Sequence, residues 1–338
     1  MDRILPTGKL PLEFLDRLLG RAGIQHERLI TGPGVGEDVA VIDMGNTYMV
    51  VKTDPITFAT DQIGWYAVHV NANDVATSGA KPLWMLNTLL LPEGRTTPEL
   101  VEEIFAQLRS AADTLGIYLV GGHTEITHGL DRPIVVGVLI GEVPKERLLT
   151  TANARVGDRV VLVKGIPIEA VSVIAYEKAA ELRERGYEEA FIRRCQGFLH
   201  NPGISVLEAA RIAADVAGVH AMHDPTEGGL ATGLQELALA AGTGLWLEAD
   251  RIPVLDEGAE LCAAYGLDPL GLIASGALLV AVSDDGVEDL LASYREVGIA
   301  AACIGHLTRQ EEGMRMVRAG VEGPLVRFDV DEITRIFS

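Results

Sequence analysis

Leu12, Leu15, Leu18 and Leu19 recur at the spacing of one helix face up to Gly20, which predicts a short amphipathic helix ahead of a glycine-rich stretch. The period then changes. Runs rich in β-branched residues at 39–44 and 47–53 flank Gly45-Asn46, so a hairpin is predicted there. Residues 61–78 read as a long helix with Asp61 as N-cap, Gly79 at its end and Pro82 barring continuation. Thr97-Pro98 opens another helix, whose stripe of Leu100, Ile104, Leu108 and Leu115 runs to Gly116, and strands follow at 117–121 and 134–140. A polar, irregular stretch at 144–157 reads as a linker. Beyond it the strand at 160–164 begins a second half, with helices at 167–183, 203–215 and 228–241. Strands at 244–248, 276–282 and 300–304 separate two more helices. Strands interleaved with helices in both halves predict an α/β (α+β) protein of two domains, residues 1–147 and 148–338.

Composition narrows the class. With 338 residues and 48% apolar content, the chain suits two cores rather than one. A formal charge of -20 argues against nucleic acid as a partner, since too few cations are available to replace phosphate counterions. A bound nucleotide stays compatible, because divalent metals and helix-start amides reverse the field locally. Cys195, Cys262 and Cys303 are too scattered for a disulfide framework or a zinc knuckle, which suggests a reduced, cytoplasmic setting. No apolar run reaches membrane-span or signal-peptide length, so neither a membrane nor secretion is expected.

The chemistry gathers on carboxylates. On the predicted helix 61–78, Ile63, Ala67, Val70 and Asp74 follow one another at steps of four, three and four, placing Asp74 on the apolar stripe. A buried carboxylate costs several kcal/mol unless it is paired, hydrogen-bonded or bound to metal. Asp38 and Asp54 sit at similar transitions between apolar runs and turns, and the three together suit magnesium, which takes one or two carboxylates and keeps several waters. Gly32, Gly34 and Gly36 would leave backbone amides open beside phosphates. Asp224, in His223-Asp224-Pro225-Thr226-Glu227-Gly228-Gly229, precedes a helix whose first amides would receive an anion. His123, in Gly121-Gly122-His123-Thr124, is a lesser candidate for contacting phosphate or acceptor.

In order, Gly-Glu-Asp, Lys-Thr-Asp, Asn-Asp with Ser-Gly-Ala-Lys-Pro (residues 78–82), Gly-Gly-His-Thr and Asp-Pro-Thr-Glu-Gly-Gly resemble the motifs of the aminoimidazole ribonucleotide synthetase (PurM-like) superfamily over residues 30–310. The resemblance implies an N-terminal domain whose sheet pairs with its twin in a homodimeric barrel, and a C-terminal α/β domain closing over ATP. It implies magnesium held in an interdomain cleft by Asp38, Asp54, Asp74 and Asp224. Thr53, Asn73, Gly122, Thr124 and Thr226, within the same motifs, join the implied nucleotide-contacting set.

Asp-Pro-Thr-x-Gly-Gly-Leu and Ala-Ser-Gly-Ala-Leu-Leu-Val (residues 274–280) look most like the HypE-type branch, which dehydrates a thiocarboxamide carried on its own terminal cysteine. Three departures stand out: the sequence ends Thr334-Arg335-Ile336-Phe337-Ser338, Glu227 replaces an arginine, and His123 replaces an acid. Residues 1–40 lack the cysteine or selenocysteine of a selenophosphate synthetase. The expectation is an ATP- and magnesium-dependent enzyme that phosphorylates an amide- or carboxylate-type oxygen of a small-molecule or protein-borne acceptor. A thiamine-monophosphate-type kinase and a non-catalytic, nucleotide-binding maturation scaffold are the alternatives.

Overall fold

Around Gly45-Asn46 the expected hairpin forms, with Asp43 opposite Tyr48. The computed structural model describes residues 5, 10–22, 25–57 and 61–337. Helix α1 (Leu12–Ala22) is followed by strands β1 (Leu29–Thr31), β2 (Ala40–Asp43) and β3 (Thr47–Ile56). Helix α2 (Ile63–Thr77), strand β4 (Lys81–Pro92), helix α3 (Pro98–Leu115) and strands β5 (Tyr118–Thr127) and β6 (Ile134–Pro144) come next. The six strands form one sheet in the order β1-β2-β3-β6-β4-β5. Every pairing is antiparallel except β4 with β5, which run parallel because the α3 crossover joins them.

Thr97 caps α3 as expected, its side chain accepting the Leu100 N–H, and Gly116 ends the helix in the left-handed conformation. At α2 the outcome differs. The N-cap position is Gln62, in the left-handed region and with no side-chain cap bond, rather than Asp61. Every residue of α2 except Trp65 is buried, because the sheet covers one face and α3 the other. Gly64 permits that close packing: a Cβ there would lie 2.7 Å from the Ile104 carbonyl oxygen.

The chain continues with strand β7 (Arg159–Val163) and helices α4 (Glu169–Glu177), α5 (Ala179–Glu184), α6 (Glu189–Gln196) and α7 (Leu207–Asp215). Strand β8 (Val219–His223), helix α8 (Gly229–Ala241), strand β9 (Gly244–Glu248) and helix α9 (Asp256–Tyr265) follow. Strand β10 (Leu278–Val282), helix α10 (Val287–Glu296) and strands β11 (Ala301–Thr308), β12 (Met314–Arg318) and β13 (Val321–Pro324) complete the order. The helix expected over 167–183 breaks at Lys178 into α4 and α5. A second sheet has the order β13-β12-β9-β11-β7-β10-β8, and Leu230, Leu234 and Leu237 of α8 pack into its core with Leu162, Leu247 and Leu279.

Two compact units result: His26–Gly32 with Asp38–Leu148, and Pro33–Glu37 with Leu149–Ser338 and Met1–Gln25, each as far as described. We refer to them as the N-terminal and C-terminal units. Among the described residues, no helix is long and apolar enough to cross a membrane. The class is α/β with mixed sheets.

Candidate active site

In the N-terminal unit, alternation along β3 sends Val50, Lys52, Asp54 and Ile56 to one face and Thr53 to the other, where Thr53 is exposed. Asn71 of α2 pins the first of these faces. Its Oδ1 accepts the Asp54 N–H at 2.9 Å, and its Nδ2 donates to the Ala67 carbonyl at 2.9 Å. One turn further along α2, Asp74 is 3% exposed, and Lys52 reaches it: Nζ lies 3.1 Å from Asp74 Oδ1 and 3.4 Å from Asp54 Oδ2. Asp38 joins from the segment before β2, with carboxylate oxygens of Asp38 and Asp74 within 4.8 Å of one another. Thr77 stands beside both, its Oγ1 3.4 Å from Asp38 Oδ2 and bonded to the Asp74 carbonyl at 2.7 Å.

Two like charges at that separation repel by roughly 3 kcal/mol at an effective dielectric constant of 20. A cation is the physical remedy, and Lys52 supplies one. Sequence reasoning passed over Lys52, although its place two residues before Asp54 on a strand was the available signal.

The remaining N-terminal candidates are spread out. Asn73 is fully buried on α2. Gly32 follows β1, with Leu29 close against it. Gly122, His123 and Thr124 lie along β5, opposite Asn87, Thr88 and Leu89 of β4, and all three are exposed. His123 Nε2 is 3.1 Å from Glu125 Oε2 on the same strand.

In the C-terminal unit, Gly34 and Gly36 belong to the short segment that precedes Asp38. Gly36 has φ 80°, and a Cβ there would run into the backbone of Glu236 on α8, so its glycine serves close packing. Asp224 is 3% exposed just beyond β8, and the Thr226 carbonyl accepts the N–H groups of Gly229 at 3.0 Å and Ala274 at 3.2 Å. Two of the amides at the start of α8 are already engaged. Gly228 N–H donates to Asp331 Oδ2 at 2.7 Å and Gly229 N–H to Thr226, so the chain's own groups take both. Burial pushes the Asp331 carboxyl up to about 6, against the pull of the Ile333, Gly228 and Ile273 amides. Glu169, at the first position of α4, is pushed up to about 8 by burial, opposed by a bond from Ser275 and assisted by the charges of Glu227 and Asp331.

Two of the three thiols are held in their unreactive form. Cys195 and Cys262 are buried, and burial pushes each up to about 12.

The N-terminal donor set is all oxygen: two carboxylates in close approach, a third on the neighbouring strand and a hydroxyl beside them. Such a set suits a hard cation such as magnesium and does not suit a soft one. An ammonium already standing between two of the carboxylates shows that the pocket accepts positive charge.

Comparison with known proteins identifies the family. Residues 36–143 match the AIR synthase related protein, N-terminal domain, and residues 155–317 match the AIR synthase related protein, C-terminal domain. The carbamoyl dehydratase HypE of Cupriavidus necator is 31% identical over 84% of this chain and 79% of its own length. Among solved structures, the hydrogenase maturation protein HypE in complex with ATP superposes with a TM-score of 0.70 at 24% identity, covering 96% of this chain and 93% of that one. HypE from a HypE–HypF complex gives 0.73 at 21% identity, covering 93% and 99%. Matched in both domains and along most of its length, the chain belongs to the AIR synthase related family, in its HypE-type branch.

Proposed function

We propose that this protein is an ATP- and magnesium-dependent phosphoryl-transfer enzyme of the HypE type, acting on an amide- or carbamoyl-type oxygen. The observation that carries it is the approach of Asp38, from the segment before β2, to Asp74 on the buried helix α2, where Lys52 pairs with Asp74. Phosphoryl transfer is mainly a matter of positioning and charge, and such a pair provides for the metal that ATP brings. Asp38, Asp54 and Asp74 would hold magnesium, with Asp224 of the C-terminal unit as a further carboxylate and Thr226 and the 32–36 loop toward the phosphates. Magnesium would neutralise charge on the phosphates. The acceptor oxygen would take the γ-phosphoryl group as ADP leaves and one N–H proton is lost; the C–O bond then breaks to release phosphate as the second N–H proton is lost and a nitrile forms, so dehydration of a carbamoyl group is balanced by one ATP.

We further propose a homodimer built on β5. That strand is an exposed sheet edge ten residues long carrying Tyr118, Val120 and Ile126 outward, and an open apolar edge invites pairing with a second copy. A HypE relative forms a complex with HypF, and a partner of that kind would deliver a protein-borne acceptor. A cytoplasmic setting accords with the three free cysteines.

Calorimetry with ATP, with and without magnesium, tests the central claim on the wild type and on Asp74→Asn. The wild type should bind ATP in a magnesium-dependent way, and the variant should lose at least about 100-fold in affinity, by analogy with the 10–100-fold cost of removing even an outer-shell partner. A wild type that binds no ATP, or a variant with unchanged magnesium dependence, refutes it. Phosphate release with amide and carboxylate acceptors then identifies the substrate class.

A further inference from the structure

We propose that Asp331 is a positioning residue for the Asp224-Pro225-Thr226 loop, its buried carboxylate holding three chain segments in the arrangement that presents Asp224 and Thr226. The inference rests on the phosphoryl-transfer function proposed above and names what fixes the Asp224 loop within the C-terminal unit.

Both oxygens of the carboxylate are engaged. Oδ2 accepts the Gly228 N–H at 2.7 Å, and Oδ1 accepts Ile273 N–H at 3.2 Å and Ile333 N–H at 2.8 Å. The loop and the 273–274 segment are also tied directly, Ala274 N–H to the Thr226 carbonyl at 3.2 Å. A closed circuit results, running from 226–228 through 273–274 to 331–333.

The loop cannot turn elsewhere for these partners. Gly228 and Gly229 have φ 80° and 67°, two left-handed residues in succession, and a Cβ on Gly229 would lie 2.7 Å from the Leu272 carbonyl oxygen. That conformation aims the Gly228 amide inward, where Asp331 is 5% exposed and water is scarce. A negative carboxylate at the start of the 13-residue α8 is also favoured by the helix dipole.

A local serine, threonine or asparagine cap would have sufficed to begin a helix. Asp331 does more, because one side chain fastens the loop to a second segment that follows α9 in sequence. Loss of the carboxylate frees the loop that carries Asp224 while leaving α8 and the sheet in place.

The test compares Asp331→Ala and Asp331→Asn with wild type, using Tyr294→Phe as a destabilising control. Tyr294 donates a buried hydroxyl bond to the Ala209 carbonyl elsewhere in the same unit and takes no part in the loop. Amide hydrogen exchange at Gly228 and Ile273 is measured alongside magnesium-dependent ATP affinity, kcat and KM. Asp331→Ala should lose at least about ten-fold in protection at both amides and about ten-fold in ATP affinity, the expected effect of losing bonds to a buried charged acceptor. Asp331→Asn, which keeps one acceptor oxygen, should fall between. Tyr294→Phe should lower the melting temperature and move neither quantity.

Unchanged exchange at both amides in the Asp331 variants overturns the positioning role, as does an ATP affinity that merely follows melting temperature across all three variants. If Asp331→Ala does not fold, Asp331→Asn carries both measurements. A wild type that binds no ATP refutes the proposed function on separate grounds, since exchange at Gly228 needs no nucleotide.

Discussion

Each unit gathers carboxylates around a buried one, and the two groups are balanced by different means. Around Asp38, Asp54 and Asp74 the remedy is a cation: Lys52 spans Asp54 and Asp74 from the face of a strand. Around Glu169 the remedy is a proton, its carboxyl being pushed up to about 8, whereas neighbouring Asp331, pushed up to about 6, keeps its charge at neutral pH among a ring of amides. A carboxylate that answers burial with a proton is no ligand for magnesium at neutral pH, whereas one kept charged by a displaceable or shareable cation is. Acidity and burial alone therefore do not mark a metal centre; the kind of counter-charge does.

Lys52→Met gives the strongest test of this contrast. It strips Asp54 and Asp74 of their ammonium, and unfolding free energy should fall by about 3 kcal/mol, as for other buried pairs that lose one partner. Added magnesium should raise the melting temperature of the variant more than that of the wild type, because the metal then restores the missing charge. Equal stabilisation of both proteins would show that ammonium and metal do not share the pocket.

Glu169→Gln tests the other cluster. Raised in the folded state from 4.5 to about 8, Glu169 favours folding fully below pH 4.5, and that contribution is lost as pH rises through 8. Asp331, raised from 3.8, loses its contribution earlier, as pH rises through about 6. Urea midpoints for the wild type should decline between pH 5 and 8, and Glu169→Gln should flatten that decline by on the order of 2 kcal/mol. A wild type whose stability rises across this range would break the proposed division between proton and cation. The smallest effect is Tyr294→Phe, which should cost about 1 kcal/mol at every pH and leave both clusters untouched, giving the baseline for a single lost bond.

Much of the first cluster was legible in the sequence because its members sit on regular elements. Asp74 declared itself through helical spacing, and the second strand expected over 47–53 stops one residue short of Asp54, which β3 includes. Lys52 obeyed the two-residue period of the same strand and was overlooked only because a lysine beside an aspartate looks like a surface pair. Local signals misled in places. At α2 the expected cap Asp61 gives way to Gln62, whereas Pro82 lies beyond the helix end as expected, within β4. The stripe on α2 understated burial, since nothing in residues 61–78 announces that α3 will cover the outer face. The second cluster was out of reach, because Glu169, Ser275 and Asp331 come from an α-helix start, a loop and a 3-10 turn, and no periodicity links them. The C-terminal half also held β8, β12 and β13, which the sequence reading did not separate from their surroundings.

The bond from Gly228 to Asp331 joins residues 103 positions apart. At a synthesis rate of 5–20 residues per second, roughly 5–20 s separate the emergence of the two partners. Through that interval the nascent chain already has β8 and α8 but lacks the acceptor for an amide that has nowhere else to turn. The Asp224 loop therefore waits for Asp331 to emerge before its Gly228 amide finds a partner.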